Sequence, residues 1–354
     1  MMTLKLKTGD PCQAQSPCPC CGQHQARIVA TRDGKTGAAL TTIACDTCGL
    51  GRTDPMPSTE ALTQWYAQSY RQEYKSTFQP ALRHVLRAGR IALDRWAWLQ
   101  SHGCLQPGSA TLDIGASSGE FVYLMNHLGF AAQGLEPHEG YAGYARQQLQ
   151  LDVRQGNVHD MTSLDQTQRW DLVSLFHVFE HLSDPLGSLE AIAQVMSDSG
   201  VLFIEVPNTT RPCSPHYMFF KAHVLYFTGE TLRQTLQAAG WQLLAHNADD
   251  QGNLRVLARP GTQARHPAWP AHGHELVRAQ QARRWGPYLL GEISNGRVLQ
   301  RLRTRGEEKR TAARHGSGPD LLEALYSSAA LTQAPSAAAG PKSNALRRLP
   351  AARD

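Results

Sequence analysis

The chain has 354 residues, 41% of them hydrophobic, and a formal net charge of +5, enough length to bury one large core and an accessory unit. No apolar run approaches the roughly 20 residues of a membrane-crossing helix, and the first ten residues lack the apolar stretch of a signal peptide, so a soluble, cytoplasmic protein without membrane insertion is expected. Residues 1–260 hold 20 Lys and Arg against 23 Asp and Glu, whereas residues 261–354 hold 15 against 7; basicity confined to the tail argues against a nucleic-acid enzyme, which needs its basic surface on the folded domain.

Six of the eight cysteines precede residue 50. Cys18 and Cys21, then Cys45 and Cys48, form two CxxC pairs, each followed by glycine and separated by a hairpin-like stretch over 27–31 and 39–44. That spacing predicts a structural zinc site with all four positions taken by thiolates, in a zinc-ribbon-like module over 15–55. The alternative is a cluster of reduced thiols without metal, and Cys12 and Cys20 are spare either way. Pro55 to Ser58 starts a helix with Leu62, Trp65, Tyr66 and Tyr70 at helical intervals, and a second helix is predicted over 79–100. Residues 56–108 thus read as a helical cover, with the aromatic stripe taken as core rather than as a binding wall.

From residue 109 to 260 strands and helices alternate, which predicts an α/β unit with a mostly parallel sheet. Strands are expected near 110–114, 131–135, 151–154, 171–176 and 200–206, with a closing antiparallel pair at 241–246 and 253–258. The first strand enters the turn Asp113-Ile114-Gly115-Ala116-Ser117-Ser118-Gly119 and then a helix, and the second strand ends at Glu136. Glycines let a βα turn approach a ligand closely, and an acid after the next strand sits where a ribose would be held. An adenosine-bearing cofactor follows. Residues 261–326 are expected to form a basic helical extension, with a solvated surface as the usual reading and an electrostatic partner as the alternative; Ala, Pro and Ser dominate 327–354, where disorder is expected.

These motifs make residues 110–260 similar to class I S-adenosylmethionine-dependent methyltransferases, and the N-terminal cysteines resemble the zinc-bearing branch of that family. The resemblance implies a Rossmann-like sheet of seven strands and S-adenosylmethionine as cofactor. It places Asp113, Gly115, Ser117 and Gly119 on the methionine part and Glu136 on the ribose. Ser117 departs from the family's central glycine, and its Cβ restricts the turn. Asp160, with Met161, matches loosely the segment that contacts adenine, although Asp160 reads equally as a turn cap.

The fourth strand runs into His177-Val178-Phe179-Glu180-His181, which should face the transferable methyl group with His177 beside the cofactor. His181 is the candidate general base, with Glu180 either catalytic or orienting; alternatively His177, Glu180 and His181 ligate a divalent ion, as a similar segment does in related quinone O-methyltransferases. An aromatic loop with His216, Tyr217, Phe219, Phe220, His223, Tyr226 and Phe227 reads as a substrate lid or wall, with His223 a pocket residue and second candidate base and His216 undecided between pocket and core. The resemblance implies methyl transfer to a small polar acceptor such as a nucleotide-linked sugar or glycan. A degenerate cofactor-binding platform, and an RNA or protein methyltransferase, are the competing readings.

Overall fold

The computed structural model describes residues 7–68, 78–165, 167–248, 252–261 and 275–329. The N-terminal segment forms β1 (Pro11–Gln13), β2 (Gln25–Arg32), β3 (Ala39–Cys45) and β4 (Gly51–Thr53), paired antiparallel in that order. Two helices follow, α1 (Thr59–Gln68) and α2 (Leu82–Gln100). Tyr70, expected on the first, lies outside the described residues.

The larger sheet is built by alternation. β5 (Ala110–Ile114), α3 (Glu120–His127), β6 (Ala131–Glu136), α4 (Glu139–Gln147), β7 (Val153–Gln155), β8 (Trp170–Phe176), α5 (Pro185–Val195) and β9 (Met196–Pro207) follow one another, and the five strands pair in parallel. β10 (Leu225–Tyr226) belongs to the smaller sheet; after α6 (Gly229–Ala238), β11 (Trp241–His246) and β12 (Asn253–Pro260) complete the larger one antiparallel. Its order is β11-β12-β9-β8-β5-β6-β7, the seven-stranded, mostly parallel α/β sheet expected. β9 starts at Met196, directly where α5 ends and earlier than expected.

Successive strand residues point to opposite faces, so the sheet divides its apolar side chains between two cores. Val173, Leu175, Ile204 and Val206 share one core with Leu50 and three of the cysteines; Leu172, Phe176 and Phe203 share the other with Val85, Trp96 and Phe121. Buried on both faces, these strands are near-continuous apolar runs.

The aromatic loop after β9 departs from the expected lid. β10 pairs with β4 (Leu225 opposite Arg52, Tyr226 opposite Gly51), and Phe219, Tyr226 and Phe227 are buried. A Cβ on Gly51 would lie 2.4 Å from Leu276 Cδ2 and 2.8 Å from Tyr226 Cβ, so the fit of this seam requires glycine. The loop is a structural clasp, because its large side chains are removed from water by the sheet they complete.

The extension is helical: α7 (Glu275–Ala282), α8 (Trp285–Ser294), α9 (Arg297–Ala312) and α10 (Gly318–Ser328). Its two ends are anchored rather than solvated. Leu276 and Val277 pack with Val29, Ala44 and Phe219, while Leu321, Leu322 and Tyr326 join the core of α2 and α3, with the Tyr326 hydroxyl donating to Glu120 O at 2.9 Å. Of residues 327–354, expected to be disordered, Ser327 and Ser328 instead end α10, and 330–354 lie outside the described residues.

Candidate active site

Strand order reverses at β5, with β6 and β7 to one side and β8 and β9 to the other. Beyond the carboxyl ends of the strands at such a point lies the usual ligand crevice of an open α/β sheet. A cleft of about 470 Å³ opens there, a size suited to a small-molecule site. Asp113, Gly115, Ser117, Glu136, His177, Glu180, His181 and His223 all line it. Gly119, Asp160 and Met161 are not in its wall.

The turn after β5 is set by three left-handed residues, Gly115 (φ +77°), Ser117 (φ +54°) and Gly119 (φ +91°). A Cβ on Gly115 would sit 2.3 Å from Val178 Cγ2, and one on Gly119 2.6 Å from Leu151 Cδ1, so space as well as backbone demands glycine at both. Ser117 carries a Cβ in a conformation that costs an L-residue about 1–2 kcal/mol. Glu136 braces it: Oε2 accepts the Ser117 N–H at 2.8 Å and Oε1 accepts that of His138 at 3.1 Å. Ser117→Gly is therefore expected to leave thermal stability within about 1 kcal/mol of the native chain, since relief of strain and added freedom of the unfolded chain oppose each other. A thermal melt checks this.

Beneath the turn Asp113 accepts a hydrogen bond from Ser174 Oγ at 2.7 Å, which opposes the burial that pushes its carboxyl up to about 7. Asp160 behaves as the turn cap that its sequence equally allowed. Its Oδ2 accepts from Asn157 N at 2.8 Å in a reciprocal capping box, and Met161 is buried in the core. From this segment the cleft wall is Asn157, Val158 and His159.

After β8 the chain makes one short 3-10 turn, Phe179–His181, which gathers the imidazoles around a carboxylate. Glu180 is 1% exposed, with Oε1 3.3 Å from His177 Nδ1, 3.9 Å from His181 Nε2 and 4.0 Å from His223 Nε2. His181 Nδ1 lies 2.6 Å from Ala222 O, which can only accept, so the proton is assigned to Nδ1 and Nε2 keeps its lone pair. The Tyr66 hydroxyl donates to the same carbonyl at 2.6 Å and lies 2.7 Å from His181 Nδ1. Burial lowers the His181 imidazole below its ordinary range and, with His181 beside it, takes His223 to about 3. Burial also opposes charge on His177, but Glu180 and Glu205 outweigh it and push that imidazole up to about 9.

One potential ligand set differs from the sequence expectation. Donor atoms of Glu180, His181 and His223 lie within 4.8 Å of one another, a group that His177 does not join. Held in a left-handed backbone (φ +57°), His177 instead spans Glu180 and Glu205. His216 is exposed and away from the cleft.

Sequence reading missed several groups. Glu205 is 1% exposed and accepts from Arg95 Nη2 at 2.8 Å and Arg255 Nε at 2.7 Å, while Arg95 stacks over Phe176 with its guanidinium carbon 4.0 Å from the ring centre. A lone acid inside the apolar run of β9 was the available signal. Thr59, Leu62, Thr63 and Tyr66 of α1 line the cleft, so the helix whose aromatic stripe reads as core also walls the site. An amphipathic stripe looks the same whether it faces a core or a crevice.

The four cysteines of the CxxC pairs converge between the β1–β2 and β3–β4 connections, with Cys18 Sγ 3.5 Å from Cys48 Sγ and Cys21 Sγ 3.4 Å from Cys45 Sγ. All are free thiols, and the four sulfurs lie within 4.8 Å of one another. Sulfurs around a zinc with bonds of about 2.3 Å would be roughly 3.8 Å apart, so the donor set fits a tetrahedral ion. The spare thiols stand apart: Cys20 Sγ is 3.5 Å from Thr235 Oγ1, and Cys12 lies on β1.

A family model described as a methyltransferase domain matches residues 89–246. The chain is similar to ubiquinone biosynthesis O-methyltransferases of Xanthomonas campestris and Actinobacillus pleuropneumoniae, at 28% identity over 109 and 112 residues, covering 29% of this chain and 45% and 47% of theirs. It thus spans about half the length of the curated relatives it matches. Among solved structures it is similar to a DhpI complex with SAH (19% identity, 58% of this chain, 100% of that one, TM-score 0.42) and to magnesium protoporphyrin IX methyltransferase from Synechocystis with bound SAH (15%, 58%, 100%, 0.41).

Proposed function

We propose that this chain transfers a methyl group from S-adenosylmethionine to a small polar acceptor, with a structural zinc held by Cys18, Cys21, Cys45 and Cys48. One observation carries the reading: the Glu136 carboxylate and the glycine-bracketed turn meet at the cleft where strand order reverses, and the match to a methyltransferase domain supports it. Ser117 does not close the turn, which removes the main argument for a degenerate platform. In this reading Glu136 holds the ribose, Asp113, Gly115 and Ser117 approach the methionine part, and Asn157, Val158 and His159 take the adenine edge in place of Asp160 and Met161.

Bound there, the cofactor supplies an electrophilic methyl on a positively charged sulfur. The chain's own residues orient the acceptor and move one proton, from the acceptor hydroxyl to His181 Nε2. His181 is the better base, since His223 at about 3 is the weaker one. Glu180 faces the imidazolium as it forms. Leu62, Ile91 and Leu182 share the cleft with Thr59, Thr63 and Ser183, which suits an acceptor with an apolar face and hydroxyl groups, such as a sugar or a phenol. The relatives' names, O-methyltransferases, support oxygen as the nucleophile.

A second reading rests on Glu180 Oε2, which is buried and has no hydrogen-bond partner among the described residues. A divalent cation held by Glu180, His181 and His223 would use that oxygen and lower the acceptor's pKa.

Calorimetric titration with S-adenosylmethionine tests the main reading. The native chain is expected to bind it, and Glu136→Ala to bind about 10- to 100-fold more weakly through loss of charged hydrogen bonds. No measurable heat with the native chain sinks the proposal.

A further inference from the structure

The helix pair α8 and α9 is built inside out. Two of its three acids point inward, Glu307 being exposed: Glu292, 6% exposed, pairs with Arg297 and with Arg301 at 2.6 Å, and Glu308, 5% exposed, pairs with Arg87 of α2. Its large apolar side chains point outward. Trp285, Leu289, Leu290 and Ile293 of α8, with Leu299 and Leu302 of α9, are each 51–72% exposed. Contiguous exposed apolar surface of this kind marks an interaction site.

Cations continue the same face. At roughly 100° per residue, the strip through Leu299 and Leu302 runs on to Gly306, Lys309 and Arg310, with Arg303 and Arg305 at its two edges and Glu307 beyond Arg303. Arg303, Arg305, Lys309 and Arg310 are all exposed. A second copy would cover the apolar side chains but leave the exposed cations without a counter-charge. A bilayer surface with anionic headgroups satisfies both halves at once, taking the apolar side chains into its boundary and the cations at its phosphates. The 15 Lys and Arg against 7 Asp and Glu of residues 261–354 add attraction of the same sign.

We propose that the outward face of α8 and α9 docks this protein on an anionic lipid surface, lying on it rather than crossing it. No helix among the described residues is long and apolar enough to cross a membrane.

The test is co-sedimentation of the full chain with vesicles of phosphatidylcholine alone or mixed with phosphatidylglycerol. The native protein is expected to pellet with the anionic vesicles only, and less so as salt is raised above about 0.2 M. Leu290→Glu with Ile293→Glu, and separately Arg305→Glu with Lys309→Glu, should each reduce the bound fraction about tenfold while the thermal melt is unchanged, these side chains being exposed. Absence of pelleting overturns the proposal, as does pelleting that both double variants retain. Light scattering that finds a dimer dissolved by the apolar double variant also overturns it, since the face would then be covered by a second copy.

Discussion

Cys45→Ser is expected to lower the melting temperature by about 10 °C or more and to release one zinc per chain. Cys45 is fully buried, 3.4 Å from Cys21 through sulfur, in the core that also holds Leu50, Val173 and Leu175. Structural zinc contributes on the order of 10 kcal/mol to small domains at neutral pH, and losing even half of that shifts a chain of this size by that many degrees. The damage should spread, because the cysteines share their core with the larger sheet. Elemental analysis and a thermal melt of native and variant protein check it. Zinc-free native protein whose melt the substitution leaves unchanged would show the cysteines to be ordinary thiols.

His181→Ala is expected to cut kcat about 10²- to 10⁴-fold, the usual share of a positioned base, while S-adenosylmethionine affinity changes little. The pH profile supplies the second readout. Burial lowers the His181 pKa, so the imidazole is already neutral at pH 7 and above. Native kcat/KM should therefore be flat from pH 7 up to the range near 9 where His177 loses its proton, and fall on the acid side, below the ordinary imidazole range near 6.5, as the base is protonated. The variant should lack that acid limb. A cation at Glu180, His181 and His223 gives a different signature: chelator would abolish native turnover and added magnesium or manganese restore it. Turnover by His181→Ala at the native rate removes both roles.

Legibility in the sequence followed the range of the interactions. The parallel sheet and its closing hairpin were readable because apolar runs, turn glycines and short connectors are local signals, and Asp113, Gly115, Glu136 and His181 were findable from their place at strand ends. Asp160 stayed open between cofactor and cap because a carboxylate three residues after Asn157 looks the same whether it caps its own turn or faces a ligand. Glu205 was missed because its partners, Arg95, Arg255 and His177, come from three distant elements. The clasp role of Tyr226 and Phe227 was hidden for the same reason: the partner of β10 lies some 170 residues earlier in the chain.

That long-range pairing orders events during synthesis. The cysteines and β4 leave the ribosome well before Leu225, so the β4 edge of the nascent N-terminal sheet stays unpaired until the larger sheet is mostly made. An unpaired edge invites pairing with another chain. Early capture of metal by the four thiols would hold that edge in one shape while it waits. Cut out as a fragment or grafted onto another protein, the module would carry an unpaired β4 with it, and only a transplant that brings residues 225–226 along would give β4 its native partner.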